Sequence, residues 1–102
     1  MQLVARKRID ILADAPLLPR LEASFVAAGI AGHTVFPAVS GSGHHGRWES
    51  GDLSSASAKL SVMAIAAEDA VDQLVTLLSP LLDSHRLLLT VSDVAVVRGD
   101  RF

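Results

Sequence analysis

A polar segment from residue 40 to residue 57 divides the chain into two apolar halves, and this division most constrains the fold. The segment contains four glycines and ends in Ser54-Ser55-Ala56-Ser57, which carries little drive toward burial. Unstructured loops longer than about 12–15 residues are uncommon in compact domains and are usually functional or disordered. The sequence therefore predicts a small packed scaffold that presents this segment to a ligand or partner, and a segment that is mobile when empty.

The half of the chain before this segment has the pattern of strand, helix and strand. Alternating apolar and polar residues over Arg8–Ala13 predict the first strand. A helix should follow, with Asp14 as its cap and Gly29 as the left-handed residue that ends it. The apolar stripe of this helix has spacings of three and four and consists of Leu18, Leu21, Phe25 and Ala28.

The second strand is predicted over residues 33–39, and it contains a proline. Pro37 cannot donate a hydrogen bond to a neighbouring strand, so this strand should lie at a sheet edge.

The half after the segment repeats the pattern of strand, helix and strand. Alternation predicts a third strand over residues 59–66, and acidic residues at Glu68 and Asp69 suit the first turn of a second helix. Pro80 should end or kink this helix near Ser79. The fourth strand is predicted over residues 87–97, which are rich in β-branched side chains.

This order of elements predicts an α+β fold of the ferredoxin-like βαββαβ type, as one domain over residues 1–102. Two interleaved right-handed strand–helix–strand units give a four-stranded antiparallel sheet with both helices on one face. The polar segment then joins the second and third strands as an extended hairpin. The other sheet face carries Met63 and Ile65 and needs a cover, for which self-association is the simplest solution.

Composition and charge exclude several functional classes. The net charge of −2 gives no general attraction to nucleic acid or to an anionic membrane surface. No cysteine is available for a disulfide, a thiol nucleophile or a thiolate metal site, and no run of about 18 apolar residues could span a membrane. The basic cluster at Arg6-Lys7-Arg8 follows a short apolar run, unlike a secretory signal. We therefore expect a cytoplasmic protein that binds no nucleic acid and meets a membrane only through a partner.

The residues around the polar segment favour a site for an anion. Glycines at positions 41, 43 and 46 let backbone N–H groups turn toward a ligand, although a plain flexible loop has the same composition. Trp48, the only tryptophan, could stack on a base or pin the loop to its scaffold. Each arginine taken singly is an ordinary solvated residue, but four of them could hold phosphate or carboxylate groups through two hydrogen bonds each: Arg47, Arg86, Arg98 and Arg101.

Metal binding and catalysis have weaker support. The adjacent His44 and His45 point to opposite sides of an extended chain, and His33 and His85 lie far away in sequence. No G-x-S-x-G motif occurs, and helix caps and strand faces account for the carboxylates. We expect no metal and no enzyme activity. The alternatives left open are a trimeric ferredoxin-like metal-tolerance protein with the histidine pair as ligands, and a purely structural assembly module.

The sequence resembles the PII signalling superfamily over most of its length. The first strand resembles the family at Lys7-Arg8-Ile9-Asp10, and the last strand does so at Val91-Ser92-Asp93-Val94-Ala95. Gly32-His33-Thr34-Val35 resembles the Gly-x-Thr-Val block, and Gly41-Ser42-Gly43 resembles the base of the family's T-loop, which here spans about residues 40–57. The resemblance implies a homotrimer with an adenine nucleotide between subunits, held by Gly32, Thr34, Gly41, Ser42, Gly43, Ala64, Ile65, Arg86, Arg98 and Arg101.

Two departures from the family's pattern indicate which branch of the superfamily the sequence resembles most. The chain has no tyrosine, and Ser84-His85-Arg86-Leu87 stands where the family has a glycine-lysine phosphate loop. The segment Gly43-His44-His45-Gly46-Arg47-Trp48 is similar to the loop of carboxysome-associated PII-like proteins. That likeness implies AMP or ADP as a regulatory ligand rather than a cofactor, and bicarbonate as a second candidate ligand at Arg47. It also implies regulation of inorganic-carbon uptake through a bicarbonate transporter or a carboxysome component.

Overall fold

The computed structural model describes residues 2–43, 46–49 and 58–97. Within these ranges it contains six strands, two α-helices and a short 3-10 turn before the first helix. In chain order they are β1 (Leu3–Asp14), the 3-10 turn (Ala15–Leu17), α1 (Leu18–Ala27), β2 (Thr34–Ala38), β3 (Ser40–Gly43), β4 (Gly46–Glu49), β5 (Lys59–Ala66), α2 (Glu68–Ser84) and β6 (Leu88–Val97).

Four of the strands form one antiparallel sheet in the order β2-β5-β1-β6. β1 is central, and it pairs with β5 on one side and β6 on the other. β2 lies at the edge, where Pro37 stands opposite Leu60. This confirms the predicted α+β ferredoxin-like fold, including the edge position of the strand that contains proline.

The core lies between one face of this sheet and both helices. β5 alternates strictly, with its even-numbered residues buried and its odd-numbered residues half-buried. Its buried side chains join those of β1 and both helices in one cluster, whose most enclosed members are Ile9, Ile11, Leu21, Phe25, Leu60, Val62, Leu74 and Leu78. Because β1 and β5 bury only this face, the register of the sheet is fixed by the helix layer.

The opposite sheet face carries apolar side chains that no helix covers. Met63 and Ile65 on β5 are half-buried, while Phe36 on β2 is 47% exposed. On β6, Leu88 is 58% exposed. In the single chain, the apolar side chains of this helix-free face are therefore left without the cover that the sequence predicts they need.

Two elements differ in length from the prediction. β1 begins at Leu3 rather than Arg8, because it pairs with β6 as far as Val97 and forms a two-stranded ribbon. Lys7 and Asp93 form a hydrogen-bonded ion pair between β1 and β6. This hydrogen bond raises the pKa of Lys7 above its usual value.

α2 does not end near Ser79, since the helix continues through Pro80 to Ser84 and includes a further turn at Leu81 and Leu82. Pro80 lies on the exposed side of the helix, and the next residue, Leu81, is buried in the core. Burial of that last turn offsets the backbone hydrogen bond that proline cannot make. No helix in the described ranges is long and apolar enough to cross a membrane.

The entry to α1 also differs from the prediction. Asp14 has extended backbone angles, but its side chain makes no capping hydrogen bond. Its carboxylate instead accepts a hydrogen bond from the Lys59 ammonium at 2.7 Å, across the β1–β5 pair. Gly29 has a φ of +75°, as predicted for the left-handed residue that ends α1.

Candidate functional site

Most of the described part of the polar segment is a hairpin rather than an unstructured loop. β3 and β4 pair from Ser40↔Glu49 to Gly43↔Gly46. Gly41 lies directly under the Trp48 ring, where a Cβ atom would come within 2.3 Å of the indole. Glycine is therefore required at position 41 to let the tryptophan lie across the hairpin. Residues 44, 45 and 50–57, which complete the predicted segment, lie outside the described residues.

Lys59 connects this hairpin to the sheet. Its ammonium lies 2.7 Å from an Asp14 carboxylate oxygen and 5.5 Å from the centroid of the Trp48 ring. A cation at that distance is attracted by the aromatic face. The start of β5, the end of β1 and the hairpin are thus held together through one lysine side chain.

A cavity of about 730 Å³ lies between the hairpin, the sheet and the connection from α2 to β6. This volume falls within the range of small-molecule sites, about 300–1,000 Å³. Five strands and the α2–β6 connection contribute to its walls, and the lining residues are Leu12, Ala13, Asp14, Gly43, Gly46, Arg47, Trp48, Lys59, His85, Arg86, Leu87 and Leu88. We call this space the hairpin cavity.

The hairpin cavity is positively charged. Three cationic side chains, Arg47, Lys59 and Arg86, face a single carboxylate from Asp14. Among the residues that the structure describes, neither Arg47 nor Arg86 has an ion-pair partner. Guanidinium groups of this kind bind phosphate or carboxylate through two parallel hydrogen bonds. The arrangement therefore suits an anionic group next to an aromatic ring.

Arg86 is held in an unusual backbone conformation. Its φ of +52° lies in the left-handed region that side chains other than glycine rarely adopt. Arg86 follows the C-cap residue His85, and a left-handed residue in that position commonly ends a helix, as Gly29 does for α1. This turn directs the chain from α2 into β6 along the cavity wall.

A second, smaller cavity of about 300 Å³ lies where the α1–β2 connection meets the end of β5 and the start of α2. Its lining is formed by small and aliphatic residues without a charged group: Gly29, Ile30, Ala31, Gly32, Ile65, Ala66, Ala67 and Ala70. Beside it, His33 stacks on Phe25 and contacts the Glu22 carboxylate at 2.9 Å. This apolar cavity suits a flat, weakly polar group.

The predicted binding residues are distributed over both cavities. Gly43, Arg47 and Arg86 line the hairpin cavity, whereas Gly32 and Ile65 line the smaller one. Gly41 and Ser42 lie on β3, and Thr34 begins β2 opposite Met63. Ala64 is 2% exposed and faces the helices. Arg98 and Arg101 lie outside the described residues.

Several cavity residues were missing from the sequence prediction. Lys59 and Asp14 meet only because β1 and β5 pair in this register, which a single sequence does not specify. The sequence prediction gives His85 no role in nucleotide binding, although its neighbour Arg86 is predicted to bind nucleotide. Adjacency to a predicted phosphate-binding arginine is the signal that could have identified it.

The described residues contain no group of three or more potential metal ligands. The histidine pair at positions 44 and 45, on which the alternative of a metal site depends, lies outside them.

Comparison with models of known protein families shows which family this chain belongs to. The family model described as "Nitrogen regulatory protein P-II" matches residues 6–101. The chain belongs to the PII family. A search of curated protein sequences finds no significant match to this PII chain.

Solved structures agree with this assignment. CPII from Thiomonas intermedia K12, described as bound to ADP and bicarbonate, is 27% identical to this PII chain, with a TM-score of 0.88 over 99% of this chain and 97% of that one. A PII-like signalling protein from Thermus thermophilus is 25% identical, with a TM-score of 0.82 over 100% and 99%. The GlnK–ATP complex from B. subtilis shares the fold at 14% identity, with a TM-score of 0.63 over 88% and 82%.

Proposed function

We propose that this PII-family protein is a regulator without enzymatic activity that binds AMP or ADP. The observation that carries the proposal is the hairpin cavity, in which two arginines without ion-pair partners in the described structure lie beside a lysine and a tryptophan. Phosphate groups satisfy guanidinium donors through paired hydrogen bonds. The structurally similar CPII binds ADP, which supports the same ligand class here.

The two cavities have complementary chemistry, and we propose that each ligand lies between two chains. The hairpin cavity is cationic, whereas the smaller cavity is apolar and uncharged. In a homotrimer, the smaller cavity of one subunit would receive the base, and the hairpin cavity of its neighbour would hold the phosphates. Arg98 and Arg101 are proposed as additional phosphate ligands near the end of the chain.

Ligand binding would act through the hairpin. Trp48 and Arg47 belong to β4, so a group that contacts them fixes the position of the hairpin relative to the sheet. A ligand shifts such an equilibrium only by its different affinities for the two states. The predicted T-loop, about residues 40–57, would then bind a partner in the cytoplasm.

We further propose that the regulated process is inorganic-carbon uptake or carboxysome function. CPII, which is bound to bicarbonate as well as ADP, supports bicarbonate as a second ligand. Arg47 is the proposed residue for that anion, because a guanidinium matches a planar carboxylate-like ion through two hydrogen bonds. A bicarbonate transporter or a carboxysome component would be the partner.

Isothermal titration calorimetry with AMP, ADP and ATP, each with and without bicarbonate, tests ligand binding. Arg86→Ala should weaken ADP binding by about 10- to 100-fold, the range expected for loss of a charge-assisted contact. Arg47→Ala should reduce the response to bicarbonate more than the affinity for ADP.

Arg20→Ala is the matched control, since Arg20 is an exposed arginine on α1 and lines neither cavity. It should bind ADP as the wild type does. Absence of any heat with all three nucleotides, at protein concentrations that would detect millimolar affinity, would refute the proposal.

A further inference from the structure

His85 lines the hairpin cavity next to Arg86, and its ring is hydrogen-bonded to Ser84. Ser84 Oγ donates a hydrogen bond to the Pro80 carbonyl oxygen at 2.8 Å. The same Oγ lies 2.7 Å from His85 Nδ1. A serine hydroxyl has one proton, and a carbonyl oxygen can only accept. While Ser84 Oγ donates to the Pro80 carbonyl oxygen, the donor between Ser84 Oγ and His85 Nδ1 is Nδ1.

Within the described ranges, Nε2 of His85 has no hydrogen-bond partner. In the neutral ring Nε2 accepts a hydrogen bond, whereas in the charged ring it donates one. Only the charged form can donate a hydrogen bond to a phosphate oxygen while Nδ1 remains bonded to Ser84.

The charged groups around the cavity make this proton sensitive to a bound anion. Arg47 on β4, Lys59 on β5 and Arg86 beside the histidine are cationic, and Asp14 on β1 is the single carboxylate in the lining. Asp83, two residues earlier on α2, is exposed and does not line the cavity. A phosphate that enters adds negative charge among these cations and so favours the charged imidazole.

We propose that His85 is a proton-linked phosphate ligand, so that nucleotide binding to this protein is accompanied by proton uptake and strengthens as pH falls. The inference rests on the proposed function, because it concerns the phosphate end of the same site. Imidazole is the side chain whose charge ordinarily changes between about pH 5 and pH 8. Binding and protonation then strengthen each other reciprocally. The site reports both nucleotide and acidity.

Calorimetric titration of ADP in buffers with different ionisation enthalpies measures the proton uptake directly. The wild type should take up protons on binding, to a limit of about one per site from His85. Its affinity should rise from about pH 8 to about pH 6, by up to about tenfold more than that of His85→Gln. The terminal phosphate of ADP itself gains a proton near about pH 6, and comparison with His85→Gln removes that contribution.

Two further variants separate the charge of His85 from a structural role. His85→Lys carries a permanent cation, so it should bind ADP tightly with the weak pH dependence of His85→Gln. Adenosine, which has no phosphate, should bind the wild type and His85→Gln with the same pH dependence.

Ser84→Ala tests the hydrogen bond that orients the ring. Loss of the bond to Nδ1 should weaken ADP binding by about threefold while proton uptake persists. Ser79→Ala is its matched control, because Ser79 makes the same type of bond, to the Val75 carbonyl oxygen at 2.8 Å, without a histidine beside it. It should leave ADP affinity unchanged.

The outcomes distinguish this inference from the function on which it rests. If the wild type binds no ADP, the proposed function fails. If it binds ADP but takes up as few protons as His85→Gln, or if His85→Lys binds no more tightly than His85→Gln at high pH, the proton linkage is refuted and the nucleotide site stands.

Discussion

At the scale of single residues, Arg86 combines an unfavourable backbone conformation with a cationic side chain that lines the hairpin cavity. An L-residue with left-handed backbone angles costs about 1–2 kcal/mol relative to the right-handed region. Its φ is +52°, and its side chain is exposed. The surrounding turn therefore maintains a conformation that glycine would adopt more readily. The conflict occurs at the position after the C-cap of α2, which in α1 is occupied by Gly29.

The conflict predicts opposite effects of one substitution on stability and binding. Arg86→Gly should stabilise the fold by about 1 kcal/mol, because glycine accepts the left-handed angles. For a chain of this size, that corresponds to a rise in melting temperature of about 4–8 °C. The same variant should bind ADP more weakly than the wild type, since the guanidinium is lost. Differential scanning calorimetry and ADP titration measure the two effects.

Gly29 provides the matched comparison, since its φ of +75° lies in the same region. A Cβ atom at this position would meet no atom within 4 Å, so steric overlap does not complicate the result. Gly29→Ala should destabilise the fold by about 1 kcal/mol. If Arg86→Gly also lowers the melting temperature, the left-handed conformation of Arg86 is not strained.

At the scale of elements, α2 shows how tertiary packing overrides a local signal. The helix is 17 residues long and keeps Pro80 inside it. Leu78 and Leu81, on either side of the proline, are both buried against the sheet. Proline in a helix interior loses one backbone hydrogen bond and crowds the preceding turn. The core contacts of the last turn are strong enough to retain the helix despite that cost.

We expect Pro80→Ala to stabilise the protein, because it restores the missing hydrogen bond on an exposed surface without a change in the core. The gain should be about 1–3 kcal/mol, less than the full helical cost of proline, because proline also restricts the unfolded chain. Chemical denaturation should show a higher midpoint with an unchanged slope.

Pro19→Ala is the control for this substitution. Pro19 lies in the first turn of α1, where the backbone N–H would lack a helical partner in any case. It should produce no gain in stability. Equal gains for both variants would mean that the position of proline within a helix does not explain the effect.

The elements also show what the sequence could and could not specify. Residues 59–66 are predicted as a strand with the bounds that the structure has, because apolar residues recur at every second position from Leu60 and acidic residues at Glu68 and Asp69 begin the next element. The β3–β4 hairpin was not predicted as strands, because Gly41, Ser42 and Gly43 have no periodic pattern. Trp48 lies over Gly41 in this hairpin, a contact between side chain and backbone that the sequence pattern does not show.

The residues of the candidate site also differ in whether the sequence could predict them. Arg47 and Arg86 could be selected from their chemistry, and both line the hairpin cavity. Lys59 and Asp14 could not, because strand register brings them together. Sequence chemistry thus selects residue types suited to an anion, whereas topology decides which of them share one cavity.

At the scale of the whole molecule, the helix-free sheet face connects the fold to the proposed assembly. The helices cover one side of the sheet, and the other side retains half-buried Met63 and Ile65 with Phe36 47% exposed. A domain normally buries both apolar faces of its layers. Packing of three such faces around an axis would bury these side chains. Because Ile65 also lines the smaller cavity, the same packing would bring that cavity next to a neighbouring chain.

Phe36→Glu tests this assembly without disturbing the core, because Phe36 is partly exposed on the edge strand β2. A carboxylate buried at a subunit contact without a partner costs several kcal/mol, so the variant should dissociate into single chains. In analytical ultracentrifugation the wild type should sediment at about three times the chain mass of 10.7 kDa, and the variant near the chain mass itself. ADP affinity should fall together with the trimer, since each site needs two chains.

Val26→Glu introduces the same charge on the other side of the molecule. Val26 lies on α1 and is 79% exposed, so a carboxylate there remains in water and the trimer should persist with full ADP affinity. Circular dichroism should show the same secondary structure for both variants, which separates dissociation from unfolding. A wild type that sediments as a single chain would contradict the assembly. If Phe36→Glu stays trimeric, the helix-free face is not where the subunits meet, and a different surface must bring the two cavities together.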